Sequence, residues 1–151
     1  MIKQIESVKK IRNFLFESIK GLTNEQLNKV PAGFNNNIIW NLGHLVAAQQ
    51  GVCYKRAGLA TQVSDDFWEQ FRSGTKPEKA LNDAEITHIK ELFFTTLDQL
   101  ETDYNNNIFT GYTTWTVRYG VDIASIDDAL AFLPYHEGLH SGTIGSLKKF
   151  V

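Results

Sequence analysis

Two histidines lie four residues apart in His136-Glu137-Gly138-Leu139-His140. On a helix that spacing puts both imidazoles on one face, about 6 Å apart along the axis. Two neutral imidazoles so placed can share one divalent metal, and zinc, nickel, copper and iron all accept such ligands. Two ligands do not make a catalytic site. Three ligands with open positions for water or substrate do. His44 is the candidate third, on an inward helical face with Trp40 one turn before it and the small Ala47 and Ala48 one turn after. His88 falls beside Glu91, Thr95 and Gln99, on a polar face, and is expected in solvent.

The five residues also spell H-E-x-x-H, in which zincin proteases use the glutamate as general base. The metzincin extension fails, with Thr143 where glycine is needed and Ser146 where histidine is needed. Proteolysis is therefore not the reading adopted. Glu137 is expected to be a surface carboxylate, with roles as a proton acceptor or as a support for the ligands left open. There is no G-x-G-x-x-G, Walker or G-x-S-x-G pattern. Cys53, the only cysteine, falls mid-helix and reads as a small core residue.

Four long helices must position these groups. The first covers residues 2–20, with Ile5, Val8, Ile11, Leu15 and Ile19 inward and Gly21 stopping it. Thr23-Asn24-Glu25-Gln26 is a capping box for a short turn of helix. Asn35-Asn36-Asn37 caps the second long helix, from about Ile38 to Arg56, closed by Gly58. A helical turn is expected at Asp65–Phe71. A second capping box at Asn82–Glu85 starts the third long helix, with Ile86, Ile89, Phe93, Leu97 and Leu100 inward. Residues 104–124 lack helical period, and their alternation from Tyr112 to Tyr119 suggests a short hairpin or an extended cover. The fourth long helix runs from Ser125-Ile126 to about Lys149, with Pro134 predicting a kink ahead of His136. Gly138, Gly142 and Gly145 on this helix each cost about 1 kcal/mol relative to alanine, so close packing against a neighbouring helix is expected there.

These elements read as an all-α four-helix bundle with long crossover connections, in a single domain over residues 1–151. The net charge of −2, with scattered basic residues, excludes a nucleic-acid footprint. No apolar run is long enough to span a membrane, and no secretory leader follows Met1, so a cytoplasmic protein is expected.

Two stretches are diagnostic in combination: Asn37-Ile38-Ile39-Trp40-Asn41-Leu42-Gly43-His44-Leu45, and Tyr135-His136-Glu137-Gly138-Leu139-His140-Ser141-Gly142-Thr143-Ile144. With Phe71–Pro77 and Tyr119-Gly120-Val121 between them, the chain resembles the DinB/YfiT-like superfamily of metalloenzymes, in its DinB-like branch. The resemblance implies a four-helix bundle, often a homodimer, with one metal-binding histidine on the second long helix and two on the fourth. Those positions match His44, His136 and His140. It further implies zinc or nickel, and in some relatives transfer or isomerisation with low-molecular-weight thiols such as bacillithiol, mycothiol or glutathione. Three functions remain open on this basis. One is a metal-dependent thiol S-transferase with a small-molecule substrate, no catalytic side chain being assigned. Another is a non-catalytic stress-related binding module with a structural metal or none. The third is a hydrolase that uses Glu137 on metal-bound water.

Overall fold

The computed structural model describes residues 2–151. It contains α1 (Lys3–Ile19), α2 (Asn24–Asn28), α3 (Ile38–Gln49), α4 (Asp65–Phe71), α5 (Asp83–Asn105) and α6 (Ile126–Leu147). A small antiparallel hairpin precedes α6, made of β1 (Trp115–Thr116) and β2 (Asp122–Ile123), with Trp115 opposite Ile123. Of the two forms the alternation left open, a short hairpin or an extended cover, the chain takes the hairpin. The helix starts behave as their sequences require. Thr23 and Asn82 close true capping boxes, and Asn37, Ser64 and Ser125 each accept a backbone N–H with the side chain.

The four long helices are α1, α3, α5 and α6. Helix α1 packs on α6 and α5, and α3 packs on α5 and α6. Chain-consecutive α1 and α3 therefore sit across a diagonal, as do α5 and α6. The long segments 20–37 and 106–125 make these crossovers possible, because a short loop can join only adjacent antiparallel helices. One consequence is that α3 and α6, far apart in sequence, lie side by side. No described helix is long and apolar enough to cross a membrane.

Three local expectations are corrected. First, α3 does not stay α-helical to Arg56. Residues Gln50–Lys55 form a π-helical segment, with Arg56 N–H reaching back to the carbonyl of Gly51. Second, the inward stripe of α1 is Ile5, Val8, Arg12, Leu15 and Ile19, a strict alternation of three and four residues. Ile11 is only half-buried, and Arg12 takes the core position instead. Third, the α6 glycines do not serve a close helix contact. A methyl group added at Gly138, Gly142 or Gly145 would meet nothing within 4 Å, and all three are exposed.

The core is split across its height. One apolar cluster holds Leu15, Leu42, Leu45, Phe93 and Ile144, and the other holds Val8, Cys53, Leu97, Leu130 and Leu133. On each long helix a buried polar residue falls in the sequence between the two clusters: Arg12 on α1, Gln49 on α3, Thr96 on α5 and Glu137 on α6. Gln49 and Thr96 are joined directly: Gln49 Nε2 donates to the Thr96 carbonyl at 3.0 Å, and the Thr96 hydroxyl shares its proton between Gln49 Oε1 at 2.9 Å and the Leu92 carbonyl at 2.7 Å. Arg12 and Glu137 form an ion pair at 2.7 Å with side chains 0% and 1% exposed. Pairing of this kind is what lets such groups be buried, although Glu137 Oε2 is left without a partner.

Candidate metal centre

The α3–α6 neighbourhood brings the three histidines together. His44 comes from the middle of α3, and His136 and His140 from successive turns of α6. One ring nitrogen from each lies within 4.8 Å of the other two. The ring centroids are 4.6 Å apart for His44 and His140, 4.7 Å for His136 and His140, and 5.3 Å for His44 and His136. Among the described residues, no cysteine, aspartate or glutamate joins this group.

Hydrogen bonds decide which nitrogen of two of these rings is free. His44 Nδ1 lies 2.8 Å from the carbonyl oxygen of Phe71. A carbonyl only accepts, so Nδ1 carries the proton and Nε2 keeps its lone pair. His140 Nδ1 lies 2.8 Å from Asn41 Oδ1. The Asn41 amide is itself oriented, because its Nδ2 donates to the Asn37 carbonyl at 2.7 Å and to Asn36 Oδ1 at 3.1 Å. Its oxygen therefore faces His140, whose Nε2 is again the free donor atom. An imidazole that donates its outer N–H to a carbonyl oxygen while offering the other nitrogen is the usual arrangement at metal sites.

The support for His44 depends on a glycine. At Gly43 a Cβ would sit 2.5 Å from Phe71 Cδ1 and under 3 Å from two further atoms of that ring. Only the absence of a side chain lets the end of α4 settle on α3. That contact places the Phe71 carbonyl over His44. On its other side His44 stacks on Trp40, with centroids 4.9 Å apart and planes 10° from parallel. The Phe132 ring flanks His136 at 5.6 Å.

Electrostatics keep the rings neutral. Burial pushes His136 down to about 3, and His140, His44 and Arg12 push the same way. Burial pushes His140 down to about 4, with His44 adding to it. His44 is also lowered by burial, against a smaller opposing effect from its bond to Phe71. Neutral imidazole is the metal-binding form, so all three are poised as ligands at neutral pH. Three imidazole donors from a partly buried wall, two of them anchored through Nδ1, fit a divalent metal with coordination positions to spare.

The DinB superfamily family model matches residues 8–144, a stretch that includes all three histidines. The chain belongs to the DinB superfamily. Comparison with curated proteins found no relative.

Glu137 is not a surface carboxylate. It is buried, with Oε1 accepting from Arg12 Nε at 2.9 Å and from Nη2 at 2.7 Å. Burial pushes its carboxyl up, and the adjacent guanidinium opposes that shift. His88 is exposed, as its polar helical face requires. Cys53 is fully buried, and burial pushes its thiol up to about 12. Tyr119, at the hairpin tip, packs edge-on against Tyr135 at 5.4 Å, and Arg118 is exposed. Sequence reasoning missed Asn41 and Arg12 as structural partners. Both carry a signal. Asn41 lies three residues before His44, hence on its face, and Arg12 falls on the three-four stripe of α1.

Proposed function

We propose that His44, His136 and His140 hold a divalent metal, zinc or nickel, and that the protein is a metal-dependent enzyme acting on a low-molecular-weight thiol in an S-transferase-like reaction. The observation that supports the metal site is the convergence of three neutral imidazoles from α3 and α6, with no cysteine, aspartate or glutamate joining them among the described residues. A site closed by protein ligands would suit a structural metal, whereas three ligands leave positions for an exchangeable group. That favours the enzyme over a non-catalytic module. A metal bound there supplies Lewis acidity, which lowers the pKa of a thiol ligand so that the nucleophilic thiolate is present at neutral pH.

The protein's own groups prepare this. Phe71 and Asn41 fix the tautomers of His44 and His140, and Trp40 and Phe132 cover the flanks of the site. Cys53 is too deeply buried and too weakly acidic to be the thiol, so the thiol belongs to the substrate. Arg12 takes up only Oε1 of Glu137, and Oε2 is buried without a hydrogen-bond partner, so the hydrolase reading rests on that one buried oxygen reaching metal-bound water.

The test is calorimetric titration of zinc-loaded protein, purified without a histidine tag, with bacillithiol, mycothiol and glutathione. One of them binds only when metal is present and releases a proton on binding. No metal-dependent thiol binding would overturn the substrate class, and failure of the protein to take up zinc or nickel would overturn the site.

A further inference from the structure

Arg12 reaches three other helices from one guanidinium. Nη1 donates to the Phe93 carbonyl of α5 at 2.8 Å. Nη2 donates to the Leu45 carbonyl of α3 at 3.1 Å, and Nε and Nη2 both donate to Glu137 Oε1 of α6. Its guanidinium also lies 4.7 Å from the centroid of the Phe93 ring. Leu45 directly follows His44, and Glu137 directly follows His136. The two α3 and α6 partners of Arg12 are thus the immediate neighbours of two members of the histidine triad, one from each helix.

We infer that Arg12 is a positioning residue for the metal centre: through Leu45 and Glu137 it fixes the height and rotation of α3 against α6, so that His44 meets His136 and His140. This rests on the metal reading above and extends it to a residue on a helix that contributes no ligand.

The apolar packing does not do this unaided. Leu, Ile and Val contacts tolerate sliding and repacking at modest cost. A planar fork with directional donors does not, because a shift of one turn, about 5.4 Å, breaks every bond it makes. A buried polar residue that specifies register at some expense of stability is a known device in helix assemblies. The Gln49–Thr96 pair in the same polar layer ties α3 to α5 by the same logic.

The test replaces the pair together, Arg12→Met with Glu137→Leu. Removing both charges for apolar groups of similar size is often neutral or stabilising, so the fold is expected to persist. Cobalt(II) titration of the metal-free protein then reads the site. The double variant should bind cobalt at least tenfold more weakly than the wild type, with an altered visible absorption spectrum, as happens when the outer support of a metal site is lost. Arg12→Lys keeps the charge but not the fork, and should show a smaller loss in the same direction. A folded double variant with the wild-type affinity and spectrum would overturn the inference. If the double variant does not fold, Arg12→Lys carries the decision, and an unchanged affinity there overturns it. If the wild type binds no cobalt, the metal reading fails, and the positioning role is read without metal. Nuclear Overhauser contacts between the His44 ring and those of His136 and His140 should weaken in Arg12→Lys, and unchanged contacts would overturn it.

Discussion

Gly43→Ala separates the support of the metal centre from the stability of the bundle. The added Cβ would lie 2.5, 2.7 and 2.8 Å from three atoms of the Phe71 ring. Carbon atoms rest comfortably at about 3.5–4.0 Å, so the ring must retreat by roughly 1 Å. It has little room to turn, being 2% exposed and packed on Phe67 with centroids 4.7 Å apart. The backbone at the end of α4 must move with it. The bond from His44 Nδ1–H to the Phe71 carbonyl is 2.8 Å long, and a shift of roughly that size takes it beyond useful hydrogen-bonding range. Alanine recovers about 1 kcal/mol of helix propensity, while overpacking costs about 1–3 kcal/mol. The net loss of stability is therefore roughly 0–2 kcal/mol. Losing an outer-sphere partner of a ligating histidine typically weakens metal binding about ten- to a hundredfold. Urea unfolding without metal measures the first quantity, and zinc competition against a chelator measures the second. Gly145→Ala is the control: its Cβ meets nothing within 4 Å, so stability should rise by up to about 1 kcal/mol with zinc affinity unchanged. A Gly43→Ala protein that binds zinc within twofold of wild type would refute the link from Gly43 through Phe71 to His44.

Acidification should weaken the metal-free protein. In the unfolded chain the histidines take up protons near 6.5, whereas in the fold His140 resists until about 4 and His136 until about 3. The unfolded state binds more protons in that window, so stability present above pH 6.5 is lost as pH falls, by roughly 3 kcal/mol between pH 6.5 and 5 for the two rings. A urea midpoint that does not fall over that range, relative to a His136→Gln/His140→Gln protein, would contradict the burial argument. The Cys53 thiol, fully buried and pushed up to about 12, should not react with an aromatic disulfide reagent in the native state and should react on unfolding. Rapid labelling of the folded protein would mean that this part of the core opens.

Much of the fold was legible because it is written locally. The caps at Thr23, Asn37, Asn82 and Ser125 act within a few residues of themselves, and apolar periodicity marks one face of α1 and α5 whatever the rest of the chain does. The spacing of His136 and His140 likewise guarantees a shared face. Tertiary packing made the remaining decisions. The diagonal placement of α1 and α3 sets α3 beside α6, and only that choice brings His44 to the other two rings. The fate of Glu137 was equally non-local, because a carboxylate beside a metal-binding pair looks available until an arginine from another helix claims it. Arg12 was passed over for the same reason: periodicity placed the core stripe near it, but a charge is buried only when a distant partner repays its desolvation. The α6 glycines show the converse. Their composition suggested close contact, yet whether a helix stands opposite them depends on the bundle order, which no local pattern encodes.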